Sequence, residues 1–246
     1  MKLESQSRRI RERVKIRLPL RVTGRESLAQ SWTETTYVFE ATQLGAGIIL
    51  TRPVEPGRLI HLSLPLPTQM RAFDYFKVNY EIWGLVRYII AKPPDSSGVT
   101  YFSIGVAFVG QHPPASYEKD PTTLYDLKPM RSKNGLWVLR ERMRKTGRYV
   151  RQTESRYPIE TEVSVEVFDE HGIVVQRELG YTKNISIHGA AVQTKLQAPR
   201  GSFVRVTSEE KNLSVLALTR GCRRDENGLN YLHLEFIDRE WPCEAA

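Results

Sequence analysis

The chain has 246 residues, enough for two domains of roughly 100 residues that each bury a core, and its 40% hydrophobic and 26% charged residues are those of an ordinary globular protein. No stretch approaches the roughly 18 consecutive apolar residues of a membrane-spanning helix, and no apolar run follows the charged N-terminus, so neither a span nor a secretory leader is expected and the cytoplasm is the expected compartment. The net charge of +8 is concentrated: nine Lys or Arg face two Glu in residues 1–25, a local +7, and six face one in residues 140–151, a local +5.

Two basic segments, each ahead of a strand-rich region, suggest a polyanionic partner such as a phosphorylated small molecule, a nucleic acid or a membrane surface. The first segment carries Arg9 and Arg13. Behind it the pattern is β: strands are predicted at 15–23, 34–42, 46–51, 58–65 and 78–91, and the alternation of Phe102, Ile104, Val106 and Phe108 predicts another. Residues 110–133 carry Pro113, Pro114 and Pro121 and little periodicity, so they read as an extended connector. From Asn134 the spacing of Leu136, Leu139 and Met143, with Arg140, Arg144 and Lys145 beside them, predicts a short amphipathic basic helix ending near Gly147. The second half returns to strands, at 158–168, 173–183, 189–195, 202–208 and 212–222, closing with the alternation of Leu232, Leu234 and Phe236.

The two halves repeat. Arg13 to Arg156 is an offset of 143, Gly45 to Gly189 is 144, and Phe108 to Phe236 is 128. The later drop places an insertion in the first copy, most simply at residues 67–77, as a longer hairpin. Short strands punctuated by Gly, Pro and Asn predict a small barrel or sandwich in each half.

Catalysis has no visible basis. His61, His112, His171, His188 and His233 are scattered, with no H-E-x-x-H spacing, no Cys–His pair and no G-x-S-x-G elbow. Phosphate loops of the Walker or dinucleotide kind are missing, and Cys222 and Cys243 are too few for a disulfide framework or a Cys-based zinc site. No catalytic residue, metal or cofactor is expected. His233, alternating with apolar neighbours, reads as a solvent-facing strand residue; His188 is the histidine nearest a candidate site.

That site is an arginine segment followed by Asn184-Ile185-Ser186-Ile187-His188-Gly189. An R-x-x-x-R segment followed some 25 to 35 residues later by [DN]-x-S-x-x-G resembles the ligand signature of PilZ domains, small β-barrels that bind the bacterial second messenger cyclic di-GMP. The resemblance covers roughly residues 9–110 and 151–240. In the second copy it implies Arg148, Arg151, Arg156, Asn184, Ser186 and Gly189 as the ligand set, although Arg151 and Arg156 are five apart and Gln152 stands where the first arginine belongs. In the first copy the weaker candidates are Arg9, Arg13, Glu40, Thr42 and Gly45: the arginines fit, but Glu40 replaces Asp or Asn and Thr42 replaces Ser.

The residue types suit a cyclic dinucleotide on their own chemistry. Arginine forks onto phosphate oxygens or guanine O6 and N7 and stacks on purines. Asn184 and Ser186, two apart on a strand, share a face and offer an amide and a hydroxyl. Gly189 allows a turn or a close backbone approach. Glu40 is a methylene longer than the expected side chain, so its carboxylate would overshoot.

The resulting expectation is an all-β protein of two small PilZ-like β-barrels joined by a connector with a short basic helix: residues 1–112, with the basic arm, then 113–150, then 151–246. The expected function is a non-enzymatic cyclic di-GMP effector whose arginine arm folds over the ligand and changes inter-domain or partner contacts. The alternatives are a degenerate adaptor working through protein contacts and a basic arm that binds nucleic acid. The downstream protein partner is not identified by the sequence.

Overall fold

The computed structural model describes residues 13–142 and 156–243. The expected Arg9, Arg148 and Arg151 lie outside these residues. Strands β1 (Val14–Arg25), β2 (Ser31–Thr42), β3 (Gly45–Leu50), β4 (Leu59–Leu64), β5 (Tyr80–Ala91) and β6 (Phe102–Gly110) close into a first barrel in the order β1-β2-β3-β6-β5-β4. A connecting region holds helix α1 (Ala115–Lys119) and the two-stranded sheet of β7 (Tyr125–Arg131) and β8 (Trp137–Glu141). Strands β9 (Glu162–Phe168), β10 (Val174–Ser186), β11 (Gly189–Thr194), β12 (Phe203–Ser208), β13 (Leu213–Arg224) and β14 (Asn230–Phe236) close a second barrel. Its cyclic order, β9-β10-β11-β14-β13-β12, is that of the first barrel.

Alternation explains the second core. Val163, Val165 and Val167 of β9 point inward with Ala190 and Val192 of β11, Val204 and Val206 of β12, and Leu232, Leu234 and Phe236 of β14. Trp241, past the last strand, stacks on Phe236 at 5.6 Å and caps this core. By compactness the described residues form two units. One takes residues up to Ile49, Leu59–Leu85 and Gly105–Arg140; the other takes Leu50–Arg58, Val86–Ile104 and the residues from Glu141 onward. No helix among the described residues is long and apolar enough to cross a membrane.

The connector departs from expectation. Over the described part of the predicted basic helix the chain forms a hairpin: Asn134-Gly135 is its turn, with Gly135 at φ +77° and the Ser132 amide donating to the Leu136 carbonyl at 2.8 Å. Asn-Gly between short apolar runs is a hairpin signal that outweighs a three-and-four spacing carried by so few residues. Leu136 is buried, Leu139 packs on the buried Tyr117 and Tyr125, and the Arg131 guanidinium lies 3.2 Å from the centre of the Trp137 ring. Met143 to Gly147, the end of the predicted helix, lie outside the described residues.

The insertion between β4 and β5 is an ordered loop with a short 3-10 helix at Thr68–Met70. Buried Arg71 holds it from inside: Nε donates to the Leu66 carbonyl at 2.6 Å, Nη1 to Asp74 at 2.9 Å and Lys77 at 2.6 Å, and Nη2 to Val78 at 3.0 Å. The guanidinium also sits over Tyr80, whose phenol is pushed up to about 12, chiefly by burial.

Candidate ligand site on the second barrel

The motif occupies the end of β10, the turn, and the start of β11. Asn184 is opposite Ala191, Ile185 opposite Ala190 and Ser186 opposite Gly189, so Ile187 and His188 form a two-residue turn. Ile185 and Ala190 point into the core, which turns Asn184, Ser186 and Ala191 outward. A register shift between Thr182 and Asn184 makes Lys183 a bulge, which re-aims the side chains after it.

Arg156 is delivered by the chain entering the barrel. Tyr157 and Ile185 exchange backbone hydrogen bonds at 2.9 and 3.0 Å, and Arg156, one residue before, donates from Nη1 to Asn184 Oδ1 at 3.4 Å. The arm arginine and the first motif residue are therefore together. The Ser186 hydroxyl is buried and donates to the Gly189 carbonyl at 3.2 Å, so it locks the turn. Gly189 does not have positive φ; a Cβ there would run into the Leu234 carbonyl oxygen, so close approach, and not turn geometry, is what requires glycine. The His188 carbonyl accepts the Phe236 amide at 2.8 Å, and its imidazole, on the exposed turn, is 3.6 Å from Glu240.

The first barrel reproduces the frame. Val14 opposes Ala41 as Tyr157 opposes Ile185, the register shift falls between Val38 and Glu40, Thr42 opposes Gly45, and the Leu44 carbonyl accepts the Phe108 amide at 2.9 Å. Thr42 Oγ1 donates to the Gly45 carbonyl at 3.4 Å, and a Cβ on Gly45 would meet the Val106 carbonyl. Arg13 Nη1 pairs with Glu40 Oε1 as Arg156 reaches Asn184. The contents differ. At Gly47, the counterpart of Ala191, a Cβ would strike both the Phe39 ring and the Glu40 methylene, so these side chains fill the space above the sheet. The overshoot expected of Glu40 is thus accommodated by folding over a glycine and closing on Arg13.

His233 borders the same outward face. Leu232 and Leu234 are core residues, so His233 is outward as expected, but it is partly covered and directly opposite Ala191 on one side and Gly221 on the other. Asn184, Ala191, His233 and Gly221 form one row across four strands. Burial lowers the His233 pKa, and Arg223 and Arg156 lower it further. The repeat offset of 128 sets His233 against Gly105. Among the described residues no cluster of His, Cys, Asp and Glu is placed to hold a metal.

Residues 146–240 match the PilZ domain family. The second barrel with its arm is a PilZ domain, and the first barrel, with the same strand order and motif frame, makes the arrangement a tandem PilZ-like one. No curated protein matches the chain. Among solved structures, the inhibitor of motility MotI/DgrA of Bacillus subtilis is 13% identical, over 92% of this chain and 90% of that one, at a TM-score of 0.28. PlzA of Borreliella burgdorferi in complex with c-di-GMP is 10% identical, over 92% and 86%, at 0.27. The MrkH–c-di-GMP complex of K. pneumonia is 10% identical, over 91% and 80%, at 0.30.

Proposed function

We propose that this chain is a non-enzymatic receptor for cyclic di-GMP and that the second barrel holds the ligand. The observation that carries the reading is the Arg156–Asn184 contact within a segment matching the PilZ family. An arginine fork lies beside a short amide on the outward face of β10, next to a turn locked by Ser186 and Gly189. The guanidinium supplies a charge-assisted contact to phosphate or to guanine O6 and N7, and Asn184 offers donors and an acceptor to a base edge. Arg148 and Arg151, on the same arm, complete the proposed set. The output in this reading is conformational: the arm folds over the ligand and alters the contacts the chain makes with a protein partner.

The first barrel serves in this reading as a scaffold or partner-facing module, because its Arg13 is already engaged by the Glu40 carboxylate. Calorimetric titration of the full chain with cyclic di-GMP, with cyclic di-AMP as control, tests the proposal. Saturable guanine-selective binding supports it. No binding to either, or equal binding to both, removes it, and salt-sensitive binding to arbitrary nucleic acid would favour the basic-arm alternative.

A further inference from the structure

We infer that His233 is a further ligand-contacting residue of the proposed site and that its protonation links cyclic di-GMP binding to pH. The inference rests on the receptor reading. Strands are spaced by about 4.8 Å, so the row from Asn184 through Ala191 to His233 spans about 10 Å, with arginine-anchored Asn184 at one end and the imidazole at the other. The floor between them is a single methyl. Ala191 points outward, between the inward Ala190 and Val192, yet is only 3% exposed, so neighbouring side chains close over it in the free protein. A ligand that reaches this floor must displace them and lie against His233. On the far side Gly221 leaves room: a Cβ there would touch nothing but the His233 ring, at 3.6 Å. The first barrel has Gly105 at the corresponding position, so the imidazole is specific to the second barrel.

The surrounding charges fix the direction. Arg156 faces His233 from the arm and Arg223 from β13, and both act on it. On its own strand Glu235 is engaged by Arg220, and Tyr231 accepts from Gln193 at 3.1 Å. Gln193, outward on β11, also donates to Asp225 at 3.0 Å. The free site is thus cationic around an imidazole whose pKa is lowered by burial and by the two arginines. A cyclic dinucleotide brings two negative charges, neutralises Arg156 and favours protonation of His233, so binding takes up a proton and affinity rises as the pH falls. Each unit by which the ligand raises the His233 pKa is worth up to about tenfold in affinity.

Titrating the full chain with cyclic di-GMP at about pH 8, 7 and 5.5, beside His233→Gln and His233→Gly, tests this. The expected result is an affinity for the parent chain that strengthens by roughly three- to tenfold toward acid, a flat profile in both variants, and a retained slope in Asn184→Ala despite weaker binding. A flat profile in the parent, or the same slope without the imidazole, overturns the role of His233 and leaves the receptor reading standing. No binding at any pH overturns both. The outward position of His233 allows the variants to fold, which their thermal unfolding verifies.

Discussion

Arg156 reaches Asn184 Oδ1 at 3.4 Å across 28 positions of sequence, and Arg13 pairs with Glu40 across 27 in the matching place on the first barrel. One device has two outcomes: a loose contact with a neutral amide leaves an arginine to be recruited, whereas a closed ion pair spends it. Charge-assisted contacts of this kind contribute about 1.5 to 3 kcal/mol, so Asn184→Ala and Arg156→Ala should each weaken cyclic di-GMP binding by roughly 10- to 100-fold. Thermal unfolding should change little, because both groups lie on the outer surface. Calorimetry and a melting curve on the same samples check both statements.

The first barrel should be silent toward the ligand. With Phe39 and Glu40 lying over Gly47 and Arg13 engaged by Glu40, Arg13→Ala and Glu40→Ala should leave affinity and stoichiometry within about twofold of the parent chain, a change below about 0.5 kcal/mol. Loss of half the binding capacity in either variant would show that the first barrel takes ligand after all.

The fold was legible because both barrels write their strands as alternation. Val163, Val165 and Val167, like Leu232, Leu234 and Phe236, announce inward faces, and the offsets through Arg13/Arg156 and Gly45/Gly189 held as backbone register. The connector was misread because Leu136 and Leu139 satisfy a helical spacing and also fit a hairpin, and the deciding Asn134-Gly135 turn was given no weight. The site was half legible. Motif residues could be named, but the closing of the first floor by Phe39 depends on a bulge that no spacing reveals. His233 looked like any outward strand residue until strand order put it opposite Ala191.

Gly189→Ala should destabilise the second barrel. Its Cβ would meet the Leu234 carbonyl, a backbone atom held in the ladder with β11, so relief requires the strands to part. Overpacking of this kind costs about 1 to 3 kcal/mol. Urea unfolding should show the loss, and Gly45→Ala should show a similar one through Val106. Unchanged midpoints for both would mean that the close approach does not need glycine.

Arg71→Met should loosen the loop between β4 and β5. One side chain satisfies four carbonyl groups there, and a thioether satisfies none, so removal leaves buried acceptors unpaired at a cost on the order of 3 kcal/mol. Limited proteolysis within residues 67–78 should accelerate well before the barrel melts. The exposed Tyr75 and Phe76 supply cleavage positions for a chymotrypsin-like protease. Equal resistance in the variant would show that the loop is held by other contacts.

Asp238 should make the second barrel less stable as the pH rises through the acid range. Burial raises its pKa above the usual carboxylate value, outweighing the Leu216 amide that donates to Oδ1 at 2.8 Å and the ion pair with Arg239. The folded state therefore holds the proton more tightly than the unfolded one. The stabilisation from this group is fully present below the unfolded pKa and is lost as the pH climbs through the raised folded value. Asp238→Asn keeps an acceptor for Leu216 and removes the buried charge, so it should raise stability at pH 7 and leave it unchanged near pH 3. Urea titrations of both proteins at the two pH values check the sign: a variant less stable at pH 7 would mean that the Arg239 pair outweighs desolvation.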